Sequence, residues 1–391
     1  MKSNLRHLRA FLAVVDFGSV TRAAETCFVS QPAVTQAINK LEHLAGTALF
    51  QRTPQGLFPT EAGKLLGGRA RRAFELLDPA LVDLAPRLKV TATHAQLSAL
   101  IAVREAENFT LAARRIGLAQ PTVHRAVTQL EQEAARPLFE RTSYGMVATR
   151  PAQALAQAAR LAFAELDQAE ADLADLAGRE VGRIVVGAMP LSRSYILPRT
   201  IARFRKRRPT LPVKALDGPY NDLIAGLRRG EIDFLIGALR DPPPIGDVEQ
   251  RRLFDDELVI VARHDHPLVG RAEPTLAELA SFPWVVATSG TPTRNHFDRM
   301  FSPLGDVPRS LVETGSMILM RELLKESDHL GYISRLQIEA DLRPGEIVRL
   351  PVASGGTSRP IGLTMRLGWV ATKAQQEFLD ELQGVIAHPN S

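Results

Sequence analysis

Four polar side chains, Gln31, Thr35, Gln36 and Asn39, alternate at helical spacing with apolar Val34, Ile38 and Leu41. Amides and hydroxyls on one helix face can hydrogen-bond base edges in a DNA major groove, where each base pair presents its own donor and acceptor pattern. Downstream, Arg52 precedes a turn at residues 54–56, a place where a guanidinium can meet a phosphate. The whole arrangement then returns. Residues 8–60 align with 97–149 without a gap, and 20 of the 53 pairs are identical. The matches include Ala23-Ala24 with Ala112-Ala113, Gln31-Pro32 with Gln120-Pro121, Leu41-Glu42 with Leu130-Glu131, Leu49-Phe50 with Leu138-Phe139, Arg52-Thr53 with Arg141-Thr142 and Gly56 with Gly145. A gapless repeat of this length is a duplicated domain rather than a solenoid period.

The elements that must position these groups are legible in each copy. Leu5, Leu8, Phe11, Leu12 and Val15 give a first helix one apolar face. Ser19 is a good N-cap for a second helix, 20 to about 26, and the small Ala23-Ala24 pair permits close packing. Ser30 caps a third helix, with Pro32 in its first turn, where a missing N–H is harmless. The segment around Arg52 and Thr53 reads as a β-hairpin wing. A winged helix-turn-helix follows, with the third helix as the groove reader. A long helix comes after each wing, 61 to about 78, ended by Pro79, and 152 to about 177, closed by Gly178. Leu155, Ala159, Ala162, Leu166, Ala169, Leu173 and Leu176 give the second helix a coiled-coil-like seam.

The run Ala23-Ala24, Ser30-Gln31-Pro32-Ala33-Val34-Thr35-Gln36, Leu41-Glu42, Leu49-Phe50-Gln51-Arg52, Gly56 and Thr60-Glu61-Ala62-Gly63 resembles the DNA-binding domain of LysR-type transcriptional regulators. The resemblance implies that Gln31, Pro32, Thr35 and Gln36 approach DNA and that Arg52 and Thr53 support the wing; Ser30 at the helix cap and Asn39 on the same outer face complete the expected DNA-binding set. Carried across the repeat, the set becomes Gln120, Pro121, Thr122, His124, Arg125, Thr128, Arg141 and Thr142. There are departures. Gln36 stands where the family usually has Arg. The second copy keeps that Arg, as Arg125, but has His124 for a small hydroxyl, Ala119 for the helix cap and Thr149-Arg150-Pro151-Ala152 at the end. In LysR-like proteins the linker helix pairs antiparallel with its counterpart in a second subunit. Here one chain owns both. Either the two copies pair within a chain as a pseudo-dimer reading two unequal half-sites, with residues 79–96 as connector, or a conventional dimer or tetramer carries extra headpieces.

From Gly182 the texture changes to alternating short strands (183–187, 213–216, 234–237, 258–262, 284–287) and helices (196–208, 221–229). That rhythm predicts an α/β domain with a mostly parallel sheet and a ligand site beyond the strand ends. Gly230-Glu231-Ile232-Asp233, the run Leu253-Phe254-Asp255-Asp256-Glu257-Leu258-Val259-Ile260-Val261 and His266-Pro267-Leu268 resemble the effector-binding domain of the same family. This implies two α/β lobes like a type 2 periplasmic binding protein. Two hydroxyl-rich turns lead into helix N-termini, which favour anions. Pro190, Leu191 and Ser192 lie in one, Thr291, Pro292, Thr293 and Arg294 in the other, and Gly237 and Arg240 close the intervening strand. The surroundings of Thr291 and of Ile318-Leu319-Met320-Arg321 resemble a branch that senses sugars or aromatic acids. The expected layout is a first headpiece 1–63, linker and connector 64–92, second headpiece 93–152, linker helix 153–178 and effector domain 180–391.

Composition fits a cytoplasmic protein. An apolar content of 45% supplies real cores, and no stretch approaches the roughly 18 apolar residues of a membrane span. The apolar run 10–15 is interrupted by Asp16 and is too short for a signal peptide. The single Cys27 allows no internal disulfide and no cysteine metal cluster. His264 and His266 flank a strand end without a third ligand at suitable spacing, so no metal and no cofactor are expected. Nucleophile elbows, Walker loops and dinucleotide fingerprints are absent from the sequence, which argues against an enzyme. The net charge of +5 is uneven, with residues 1–89 carrying 12 basic against 7 acidic groups and 90–178 carrying 8 against 10. Lys64, Arg69, Arg71 and Arg72 supply much of the first excess, so the first copy is expected to bind DNA more strongly, unless these charges are a solvated helix face. The reading is an effector-controlled regulator whose partners are double-stranded DNA, a small molecule, RNA polymerase and further copies of itself. The alternatives are an architectural DNA-binding protein without ligand response, or a cytoplasmic small-molecule binding protein.

Overall fold

The computed structural model describes residues 4–387 apart from 144, 244–245, 306–307, 309, 343 and 353–357. The chain divides into two compact units, residues 1–183 with 372–374, and residues 184–371 with 375–391.

In the first unit the repeat is a repeat of structure. Helices α1 (Leu5–Phe17), α2 (Val20–Cys27) and α3 (Gln31–Ala45) precede the hairpin β1 (Phe50–Thr53) and β2 (Gly56–Pro59), then the long α4 (Glu61–Leu84). After a single turn, α5 (Leu88–Thr91), the order recurs as α6 (His94–Ala106), α7 (Phe109–Ile116), α8 (Gln120–Ala134), β3 (Phe139–Thr142), β4 (Gly145–Ala148) and α9 (Arg150–Leu176). The caps follow the sequence. The hydroxyls of Ser19 and Ser30 accept from the backbone N–H groups of Arg22 and Ala33, whereas Ala119 leaves α8 without a side-chain cap. The repeated Leu-Glu and Leu-Phe pairs also have a physical reason. Glu42 accepts the N–H groups of Leu49 (2.8 Å) and Phe50 (3.3 Å), and Glu131 does the same for Leu138 (2.8 Å) and Phe139 (3.4 Å). Each carboxylate ties a third helix to its wing. Gly56, at φ +136°, lets the wing lie against the α1–α2 corner, since a Cβ there would come within 2.7 Å of the Gly18 carbonyl.

Two expectations need correction. Pro79 does not end the first long helix, which runs on to Leu84 and leaves only a short connector. Proline removes one helical hydrogen bond, but Leu77, Leu81 and Leu84 are all buried, and Asp78 is held by Arg9, whose guanidinium lies 4.0 Å over the Phe74 ring. Arg69 and Arg72 are neither a DNA-facing patch nor a solvated face, whereas Arg71 stays exposed. Arg69 is 3% exposed and its Nε donates to Asp172 (3.0 Å), its Nη1 to Glu165 (3.2 Å) and Gln168 (2.6 Å), while Arg72 donates to Glu165 (3.0 Å) and Arg71 pairs with Asp16. Arg69 and Arg72 are therefore engaged within the unit, and of the four basic groups only Lys64 and Arg71 remain exposed. These partners run in opposite chain directions, so α4 and α9 pack antiparallel within one chain. One continuous apolar core extends from Leu5 through both copies to Leu173. Arg136 donates to the last carbonyls of α4, those of Asp83 (2.7 Å) and Leu84 (2.9 Å), groups that a helix end leaves without partners.

The second unit is a mixed sheet, in the order β10-β9-β11-β8-β13-β7-β5-β6 with β12 on β8. Its strands are β5 (Ile184–Ala188), β6 (Val213–Leu216), β7 (Phe234–Ala238), β8 (Val248–Arg263), β9 (Trp284–Val286), β10 (Leu311–Glu313), β11 (Leu330–Ser334), β12 (Ile347–Arg349) and β13 (Ser358–Arg366). The helices are α10 (Leu197–Arg207), α11 (Tyr220–Arg228), α12 (Leu276–Ala280), α13 (Pro292–Phe301), α14 (Met317–Glu326), α15 (Arg335–Leu342) and α16 (Lys373–Ala387). The expected mostly parallel sheet is only half right. The pairs β5·β6, β5·β7, β9·β10 and β9·β11 are parallel, but β8 and β13 run antiparallel to every neighbour. These two strands carry the chain between lobes directly, without the crossover helix that parallel pairing requires. No helix among the described residues is long and apolar enough to cross a membrane.

Candidate DNA interface and effector cleft

In both headpieces the third helix buries one face and exposes the other. Val34, Ile38 and Leu41 are buried, as are Val123, Val127 and Leu130. Ser30, Gln31, Pro32, Gln36 and Asn39 are exposed and Thr35 is half-buried. In the second copy Gln120, Pro121, Thr122, His124 and Arg125 are exposed and Thr128 is half-buried, 3.4 Å from the His124 ring. The structure thus brings each predicted polar set to one surface beside an exposed wing arginine, Arg52 or Arg141. Thr53 and Thr142 have a local task, each donating to the carbonyl of the wing glycine, Gly56 (3.2 Å) or Gly145 (3.1 Å). The two faces differ chemically. The first offers neutral amides and hydroxyls, and the second adds the Arg125 guanidinium and an imidazole packed 5.1 Å from the Phe109 ring.

The second unit holds a cavity of about 780 Å³ at the C-terminal ends of β5, β7, β9 and β10. Pro190, Leu191, Arg240, Thr291, Pro292 and Thr293 line it as the sequence suggested. Ser192, Gly237 and Arg294 do not. Ser192 is fully buried and its hydroxyl donates to the Met189 carbonyl, 2.8 Å away, so it serves its own turn. Gly237 backs onto Met189, and a Cβ there would meet the Met189 side chain at 2.4 Å. Arg294 is held by Asp298 (2.7 Å) and by Glu313, whose carboxyl this arginine holds below the usual range.

The cavity wall also contains residues that no local pattern flagged. Arg359 comes from β13, donates to Asp256 (3.0 Å) and hydrogen-bonds Thr293. Burial pushes the Asp256 carboxyl up, with Arg359 and Ser334 pulling the other way. Tyr332 lies on the same wall with its phenol pushed up to about 12 by burial. Arg193 lines the cavity paired with Asp217 at 2.7 Å. Elsewhere, His266 is a packing residue. It is 2% exposed, packs against the tilted Phe282 ring at 4.6 Å, and its Nδ1 accepts from the Leu268 N–H (3.1 Å) while Nε2 faces the Asp328 carbonyl (3.2 Å).

Two headpieces with exposed third helices and a two-lobed α/β unit with a cleft are matched by family profiles. Residues 5–64 and again 94–153 match the bacterial regulatory helix-turn-helix proteins of the lysR family, and residues 177–387 match the LysR substrate binding domain. The chain belongs to the LysR family of transcriptional regulators. This regulator is similar to the HTH-type transcriptional regulator GalR of Pseudomonas putida, with 35% identity over 387 residues, 98% of this chain and 97% of the relative. That alignment runs through both headpieces. With the uncharacterized HTH-type transcriptional regulator YdcI of Escherichia coli the identity is 33% over 283 residues, 69% of this chain and 88% of the relative. Among solved structures the fold is shared with a full-length OxyR variant from Pseudomonas aeruginosa, at TM-score 0.54 and 22% identity, covering 75% of this chain and 93% of that one. It is also shared with full-length CbnR complexed with target DNA, at TM-score 0.51 and 19% identity, covering 74% and 98%. The regulator is therefore a DNA-binding transcription factor with an effector-binding domain, and the purely architectural and purely ligand-carrying alternatives are not favoured.

Proposed function

We propose that this regulator reads an asymmetric operator with two unlike headpieces held in one chain and is switched by a small molecule in the β5–β10 cavity. The observation that carries the reading is the α4–α9 seam. Arg69 on α4 finds its carboxylates on α9, and Glu165 and Asp172 on α9 find their guanidinium on α4. Each helix is the charge complement of the other, so pairing within the chain satisfies buried groups that pairing with a like helix would leave exposed to desolvation. Further copies of the chain then assemble on this unit rather than completing it.

In this reading Gln31, Gln36 and Asn39 read one half-site and Gln120, Arg125 and Thr128 the other, with Arg52 and Arg141 on phosphates. Effector binding shifts the balance between arrangements of the two lobes and so alters DNA spacing and bend. The effector class is a sugar or an aromatic acid. The protein acts in the cytoplasm and meets RNA polymerase at its promoters. A footprint upstream of the regulator's own coding region tests the central claim, with Arg125→Ala beside the unaltered chain. Loss of one of two protected half-sites supports two readers. An unchanged footprint would make the second copy a pairing scaffold.

A further inference from the structure

The cavity contains one pair of donors that nothing among the described residues satisfies. Arg240 lies with its guanidinium carbon 3.8 Å over the ring of Tyr220, and both residues line the cavity. Its backbone is fixed by a reciprocal pair of hydrogen bonds with the Gln250 amide, at 3.0 and 2.8 Å. The Arg240 Nε and the Tyr220 hydroxyl are both buried without a hydrogen-bond partner among the described residues. A buried donor left this way costs about 1–3 kcal/mol, so an unfilled pair at the wall of a cavity points to an acceptor brought by the ligand.

Charge narrows the choice. The other two guanidiniums on the wall are engaged, Arg193 with Asp217 and Arg359 with Asp256. Among the described residues Arg240 has no carboxylate partner. Burial holds the Tyr220 phenol above its ordinary range, so at neutral pH it is a donor, not an anion. One cation plus one neutral donor matches a single negative charge with two acceptor lone pairs. A carboxylate meets that description, whereas a dianionic phosphate would keep an uncompensated charge near Asp217. Much of the remaining wall is apolar, with Met189, Leu191, Met317, Met320 and Ile333.

We propose that the Arg240–Tyr220 pair is the carboxylate-binding end of the cavity and that the effector is a small organic acid with an apolar body. This rests on the cavity being the effector site, and it selects the acid over the sugar. The Tyr220 ring, its centroid 3.8 Å from the guanidinium carbon, limits the motion of the cation and so preorganises it for the incoming oxygen.

The test is calorimetry on the full chain with benzoate, its uncharged isostere benzamide, and inorganic phosphate. Benzoate is expected to bind, with benzamide and phosphate much weaker. Arg240→Gln should weaken benzoate by about tenfold or more, since a charge-assisted hydrogen bond is lost. Tyr220→Phe should weaken it several-fold without lowering the melting temperature of the unliganded protein, because it deletes an unsatisfied hydroxyl. Arg240→Lys, which keeps charge but not the plane, should fall between. Met317→Trp, which fills the cavity from another wall, separates the two levels of the argument. If Met317→Trp abolishes benzoate binding while Arg240→Gln leaves it intact, the cavity stands and the Arg240 assignment is overturned. If neither variant matters, the cavity reading itself falls. Failure of benzoate to bind the unaltered chain, or equal binding of benzamide or phosphate, overturns the carboxylate class.

Discussion

Replacing Arg69 with methionine should destabilise the first unit by about 3 kcal/mol, the lower end of the range for breaking a buried ion pair by removing one partner. The geometry sets that end. Glu165 keeps a second guanidinium, Arg72 at 3.0 Å, and is not stranded. Among the described residues Asp172 keeps the Lys373 N–H at 3.2 Å and loses two charge-assisted bonds, at 3.0 and 2.9 Å. About 3 kcal/mol is roughly a hundredfold in the ratio of folded to unfolded chains. Urea denaturation of the full chain, followed by helical circular dichroism, reads the first unit preferentially because that unit is mostly helix. Adding Asp172→Asn to Arg69→Met should recover part of the loss, since a neutral amide needs no counter-charge. The coupling in that double-mutant cycle should exceed about 1 kcal/mol. A loss below about 1 kcal/mol for Arg69→Met, or strict additivity with Asp172→Asn, would refute the claim that this network holds α4 to α9.

Other consequences are direct. Glu42→Ala removes the acceptor for two N–H groups at the wing base and should cost about 1–3 kcal/mol, with Glu131→Ala doing likewise in the second copy; proteolysis of the wings checks both. Gln31→Ala should reduce binding to the operator more than to random DNA, whereas Arg52→Ala should weaken both alike and flatten the salt dependence; equal losses for both variants on both DNAs would sink the assignment. Burial lowers the proton affinity of His266, so its stabilising contribution is complete above the unfolded value near 6.5 and is lost as pH falls from there through the lowered folded value. Thermal melts of the second unit between neutral and mildly acidic pH should show that decline, and His266→Gln should make it shallower.

The headpieces were legible because their signals are local. A hydroxyl three residues before the N–H it accepts, a proline in a first turn and an apolar face at helical spacing are written within a few residues of each other, and the repeat states the proline and the apolar face twice. The same locality misled at Pro79, where the turn-ending signal lost to three buried leucines of the same helix. It misled again in β8, whose first half, Glu249 to Glu257, is so rich in charge that only its apolar end looks like a strand. Pairing with β13 along that stretch makes it a strand regardless.

Sequence alone therefore determined the duplication, the family, the caps and the faces of both third helices, since each depends on neighbours along the chain. Tertiary structure decided what three clusters of charge are for. Arg69 became the centre of a buried seam because α9 brings carboxylates to it from 96 and 103 residues away. Arg294 became a structural ion pair, although its sequence neighbours Thr291 and Thr293 line the cavity. Arg240 became the unsatisfied donor because Tyr220, from another element, lies beneath it and no carboxylate among the described residues does. A charged side chain takes its role from the partner that meets it across space, and spacing along the chain does not specify that partner.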